Sequence, residues 1–195
     1  GACRLLKHPL LLASEMVINV NLSVHQLMRE PLADEVEQLL EAEGIPARRI
    51  CLEITESRWL DPDGPSRRLL LRLLDLGFQL ALDDFGTGYA SLVLLRSLPF
   101  RHVKVDQSFV RELGDSAEAR ALCRAMLEMG KACNVNVTAE GVETERQLQR
   151  LAELGCADVQ GYALGRPMDA AAAERLLEQA VQAQDAGSEA REDGA

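Results

Sequence analysis

Six short apolar runs punctuate the chain, at residues 17–22, 50–54, 78–82, 102–105, 135–139 and 159–164. Several are rich in Val and Ile, as extended strands prefer. Between them lie segments whose leucines and alanines recur at helical spacing, at 33–42, 67–76, 118–132 and 144–154. Three of these helical stretches run into a glycine, Gly44, Gly77 and Gly155, which predicts a left-handed helix stop at each. Strand alternating with a helix of about ten to fifteen residues is the pattern of β-α-β units in a parallel sheet.

Two features favour a closed barrel over an open sheet. No strand is followed by a glycine-rich nucleotide loop of the G-x-G-x-x-G or G-x-x-x-x-G-K-[ST] type. Polar residues instead stand at the end of nearly every apolar run, where barrel enzymes gather their site. The expected fold class is therefore α/β, a (β/α)8 TIM-type barrel that is incomplete, with about six of eight β-α units. A full barrel takes about 250 residues, and the chain has 195. The barrel is expected over residues 1–184, lacking its first two strands, with 185–195 a disordered acidic tail bearing Asp185, Glu189, Glu192 and Asp193 against Arg191.

Composition removes other classes. With 31 acidic and 21 basic side chains the net charge is -10, and no Lys/Arg cluster supplies a stripe for a nucleic-acid polymer. No run approaches the roughly 20 apolar residues of a membrane span. The 5 cysteines include no C-x-x-C pair and sit in apolar or helical stretches, as reduced, mostly buried thiols do, so a cytoplasmic location is expected.

The strand-end polar groups carry the chemistry. They are Asn21, Glu53 and Glu56, Asp83 and Asp84, Lys104 and Asp106, Glu140 and Glu143, and Gln160. Facing one end of a parallel sheet, so many carboxylates repel one another unless cations intervene. Oxygen donors without His or Cys select Mg2+ or Mn2+ over zinc. Adjacent acids such as Asp83-Asp84 can bridge two such ions about 3.5–4 Å apart, the arrangement used to cleave phosphodiesters. Lys104, among acids, suits orienting a water or neutralising a phosphate oxygen. Structural alternatives stand beside each reading. Strand-end acids can cap helices, Asp83-Asp84 before Gly-Thr-Gly can be a plain turn, Lys104 can be a buried partner of Asp106, and Glu143 can serve the helix it precedes.

The motifs Asn21-Leu-Ser, Leu52-Glu-Ile-Thr-Glu, Leu80-Ala-Leu-Asp-Asp-Phe-Gly-Thr-Gly-Tyr, Val103-Lys-Val-Asp, Ala139-Glu-Gly-Val-Glu and Val159-Gln-Gly-Tyr-Ala-Leu-Gly-Arg-Pro resemble, in order, those of EAL domains, the cyclic-di-GMP phosphodiesterases of bacterial signalling. The resemblance implies metal binding by Asn21, Glu53 and Asp83, with Asp84 at a second ion, and contact of Lys104 with the catalytic water. It implies that Glu140 and Gln160 line the metal and water site, with Glu143 and Asp106 placed to bind substrate or water. Glu56 would steady the loop Phe85-Gly86-Thr87-Gly88, which in such domains often makes the dimer contact. The implied ligand is cyclic-di-GMP, hydrolysed to linear pGpG with Mg2+ or Mn2+. The implied partners are a second copy and an upstream sensor or cyclase domain.

One departure bears on activity. The family takes its name from a Glu-Ala-Leu motif whose glutamate is a metal ligand, and no such tripeptide occurs in these 195 residues. A weak or inactive phosphodiesterase is the expectation, and a non-catalytic module binding cyclic-di-GMP or a protein is the alternative.

Overall fold

The computed structural model describes residues 2–12, 14–55, 64–88 and 91–179. Within them, β1 (Ile18–Asn21), β2 (Ile50–Thr55), β3 (Gln79–Phe85), β4 (His102–Val105), β5 (Asn136–Ala139) and β6 (Asp158–Val159) form one sheet in the order β1-β2-β3-β4-β5-β6. Every pairing is parallel. Strand order follows chain order without reversal. An open doubly wound sheet reverses at a switch point, so this sheet is six strands of a (β/α) barrel.

The helices are α1 (Ala2–Leu6), α2 (Pro9–Leu12), α3 (Val24–Leu27), α4 (Leu32–Glu43), α5 (Pro65–Asp75), α6 (Ser91–Ser97), α7 (Gln107–Arg111), α8 (Ala117–Cys133) and α9 (Glu145–Glu153), with residues 170–179 also helical. The four long helices fall where the spacing predicts, within two residues at either end. Gly44, Gly77 and Gly155 all take positive φ after α4, α5 and α9. After α8 the left-handed stop is Asn134, φ 56°, which needs no glycine because a short polar side chain tolerates that region. The serine of Ser116 starts the same helix by accepting the Ala119 N–H at 3.1 Å.

Alternation along the strands divides the sheet. Ile50, Leu52, Ile54, Leu80, Leu82 and Val103 pack with Leu69, Leu70 and Leu73 of α5 in one buried cluster. A second cluster joins Ala139 to Val110 of α7, Leu113 of the turn after it, Cys123 and Leu127 of α8 and Leu151 of α9. The opposite face carries Glu53, Asp83, Lys104 and Glu140. The apolar core thus lies between sheet and helices, and the inner face of the half-barrel is left to polar residues.

Two expected features differ. The run 159–164 yields only the two-residue β6, and residues 162–164 form a turn. A Cβ on Gly161 would lie 2.2 Å from the Val142 carbonyl oxygen and 2.3 Å from its nitrogen, so the chain is pressed against a neighbouring peptide there instead of continuing in the ladder. Phe85, expected in the loop, is the last residue of β3 and is buried in the core. The proposed tail at 185–195 lies outside the described residues.

Candidate active site

Parallel register delivers the polar residues to one end of the sheet. Asn21 pairs with Glu53, and Thr55 with Asp83, so β2 runs two residues past the end of β1 and β3 two past the end of β2, all toward the same end of the sheet. Val105 pairs with Ala139 and Ala139 with Val159, which sets Asp106, Glu140 and Gln160 one step beyond the ends of β4, β5 and β6. This is the C-terminal end of a barrel, where loops converge.

Lys104 is the hub. Its ammonium lies 2.5 Å from Glu140 Oε1, 2.8 Å from Glu53 Oε1 and 3.6 Å from Asp83 Oδ1, with its side chain 6% exposed. Burial alone would depress its pKa, but hydrogen bonds to Glu140 and Glu53 and the field of Asp83 overcome that and raise it. Lys104 is therefore a fixed cation. The pairing with Asp106 weighed from sequence does not occur. Asp106 Oδ1 instead accepts the Ser108 N–H at 2.9 Å as the N-cap of α7. Glu53 Oε1 takes a second hydrogen bond from Asn19 Nδ2 at 2.8 Å. Asn19 had no role in the sequence reading, although its spacing of two from Asn21 puts both on the same strand face.

Asp83 and Asp84 are consecutive, and in a regular strand they would point to opposite faces. The β3–β4 register shifts between Leu82 and Phe85, and Asp84 takes φ 54°. That bulge and left-handed residue bring both carboxylates to the same end. Carboxylate oxygens of Asp83, Asp84 and Glu140 all lie within 4.8 Å of one another. Burial, then the charges of Asp83 and Asp106, raises the Asp84 pKa. Burial likewise raises that of Glu140 against the opposing Lys104. These three acids, all hard oxygen donors, fit a divalent cation in type and spacing. Beyond Asp84, the Asp84 carbonyl accepts from Thr87 Oγ1 at 2.9 Å, closing the turn through Gly86.

A cavity of about 320 Å3 opens beside these acids, lined by Asp84, Asp106, Gln107, Glu140, Glu143 and Gln160, with Gly141, Gly161 and Tyr162. The guanidinium of Arg166 stands 4.9 Å over the Tyr162 ring. Neither of these two, nor Gln107, was singled out from sequence. A somewhat larger cavity, about 410 Å3, lies at the other end of the sheet among residues preceding β2 and β3. It contains none of the strand-end groups, and chemistry, not size, selects between the two. Asn21 is the exposed last residue of β1 and lines neither cavity, and Glu56 falls outside the described residues.

Comparison with known proteins follows the same lines. A family model described as EAL domain matches residues 2–167. Over 160 residues, 82% of this chain and 23% of the relative, the chain is 39% identical to the Pseudomonas aeruginosa bifunctional diguanylate cyclase/cyclic di-GMP phosphodiesterase MucR. The crystal structure of the EAL domain of Mycobacterium smegmatis DcpA superposes with a TM-score of 0.79 at 38% identity, covering 84% of this chain and 73% of that one. The Klebsiella pneumoniae BlrP1 manganese/cyclic-di-GMP complex superposes with a TM-score of 0.77 at 29% identity, covering 85% and 42%. The chain spans about a fifth of the length of the curated relatives it matches. With strand order, strand-end acids and family model in agreement, the chain belongs to the EAL domain family.

Proposed function

We propose that this chain is the catalytic portion of a cyclic-di-GMP phosphodiesterase, hydrolysing one phosphodiester bond to give linear pGpG. The observation that carries it is the meeting of Asp83, Asp84 and Glu140 within 4.8 Å, beside the buried Lys104. Asp83, Asp84 and Glu140, together with Asn21 and Glu53, are the residues that would hold Mg2+ or Mn2+, two ions in an intact site. When bound, such ions lower the pKa of water and stabilise a leaving oxygen. The chain's own groups do the rest. The Lys104 ammonium, held by Glu53 and Glu140, presents a fixed N–H donor to a water or phosphate oxygen. Gln160, Asp106 and Glu143 line the cavity that receives the dinucleotide. Water adds across one P–O bond, leaving a phosphate on one ribose and a hydroxyl on the other.

A cytoplasmic setting, a homodimer and an upstream sensor or cyclase domain belong to the same proposal. Among the described residues no helix is long and apolar enough to cross a membrane. The cyclase half in the name of MucR supports the upstream domain.

A second reading, binding without turnover, is favoured by Glu53 Oε1, which is already occupied by Lys104 and Asn19. One experiment addresses both. The purified chain is titrated with cyclic-di-GMP in Mn2+ and in EDTA, and linear product is followed by chromatography. Binding that needs the cation and is lost in Asp84→Asn is expected, and turnover separates enzyme from receptor. No binding with Mn2+ overturns both readings.

A further inference from the structure

Gln147 sits in the first turn of α9, four residues after Glu143, and its side chain is buried. Thr144 and Gln147 form a capping box, in which the Thr144 hydroxyl accepts the Gln147 N–H and the Gln147 amide oxygen accepts the Thr144 N–H at 2.9 Å. A cap requires no more than that. Gln147 Oε1 also accepts the Glu143 N–H at 2.8 Å, and its Nε2 donates to the carbonyls of Val110 and Arg111, each at 3.3 Å. Both acceptor sites and both donors of the amide are used.

Those bonds join two walls of the acidic cavity. One wall is the loop from Glu140 to Glu143, and the other is α7, which starts at the Asp106 cap and ends at Arg111. The walls also touch near their start, where a Cβ on Gly141 would lie 2.4 Å from the Gln107 Cβ. Val110 and Val142, both fully buried, share one cluster between these two points. The loop carrying Glu140 is therefore held at its beginning by close packing and at its end by Gln147.

We propose that Gln147 is a positioning residue: by tying the Glu140–Glu143 loop to the end of α7, it fixes Glu140 relative to Asp83 and Asp84, and with it the affinity for a divalent cation. The inference rests on the functional reading above. Gln147→Glu separates the two roles of the side chain. A glutamate satisfies a capping box as well as glutamine does, but it has no donor for the Val110 and Arg111 carbonyls and sets its charge against them. Thr144→Ala is the converse, removing the hydroxyl half of the cap and keeping the tie.

The test is calorimetric titration of the full chain with Mn2+, beside thermal unfolding in EDTA. Gln147→Glu should weaken Mn2+ binding by about tenfold or more, the loss typical when a group orienting a metal ligand is removed. Thr144→Ala should lower the melting temperature and leave Mn2+ affinity unchanged, and this arm stands even if Gln147→Glu fails to fold. Wild-type affinity in folded Gln147→Glu, or a matching loss of affinity in Thr144→Ala, overturns the assignment while leaving the functional reading intact. Absence of Mn2+ binding by the unaltered chain overturns both.

Discussion

Replacing Lys104 with methionine keeps an unbranched stem of similar bulk and removes an ammonium that lies within 3.6 Å of Glu53, Asp83 and Glu140. The three carboxylate side chains are 6%, 14% and 18% exposed, so water is poorly placed to substitute. Removing one partner of a buried ion pair costs about 3–5 kcal/mol. Partial exposure of Asp83 and Glu140 argues for the lower end, about 3 kcal/mol, equivalent to about two pK units at 1.36 kcal/mol each. The loss should depend on pH. Glu140 already has a raised pKa, and without Lys104 it rises further. A carboxyl whose folded pKa exceeds its unfolded value binds more protons when folded. Stability therefore falls as pH rises from the unfolded toward the folded pKa, and stays low above it. Urea unfolding of the metal-free chain in EDTA, followed by circular dichroism, should show Lys104→Met losing about 3 kcal/mol at about pH 8 and less than half of that at about pH 5. The double variant Glu53→Gln/Lys104→Met should recover about 1 kcal/mol or more at the higher pH, because a charge without a partner is no longer buried. A loss under about 1 kcal/mol at both pH values, or one that does not change with pH, would refute the view of Lys104 as the counterion of the cluster.

Other expectations follow from single observations. Asp84→Asn keeps a residue that tolerates the left-handed conformation. Because the Asp84 pKa is raised, its ionised form costs folded-state stability above the ordinary carboxylate range, so the metal-free variant should be more stable than wild type at neutral pH and equal to it in acid. Gly161→Ala would press a methyl against the Val142 peptide and should cost about 3 kcal/mol or more, read from the urea midpoint. The Cys51 thiol is pushed up to about 12 from 9.0, first by burial and then by the Glu53 charge. Ionisation alone then slows its alkylation about a thousandfold, so exposed Cys133 should be labelled in the native chain while Cys51 waits for denaturant.

The strands and long helices were legible because each repeats its pattern over several residues. In β2, Leu52 and Ile54 face the helices while Glu53 faces inward, and that alternation is written in the sequence. Short elements carry no such repetition. The five residues of α7 complete little more than one turn, held by the local Asp106 cap at one end and, at the other, by the Gln147 amide, a tertiary contact that no short-range pattern announces. The strand-end acids were legible as a set, since order and spacing suffice to list them. Their connections were not. Lys104 on β4 meets Glu140 at the end of the adjacent β5 and Glu53 on β2, beyond the intervening β3, whereas sequence proximity pointed to Asp106. The convergence of Asp83 with Asp84 requires a bulge and a positive φ that no residue pattern announces. Gln147 had a readable signal in Thr-x-x-Gln, but that signal foretells only a helix start.

Where Gly161 lies against Val142, one side of the acidic cavity is made of peptide groups, held by the Val142 N–H donating to the Gln160 carbonyl at 3.1 Å and the Ala163 N–H to the Val142 carbonyl at 2.9 Å. Main chain offers natural variation nothing to exchange. A population of descendants could alter preference for a ligand only through rim side chains such as Gln107, Glu143 and Tyr162, while the shape of the wall passes unchanged from one to the next.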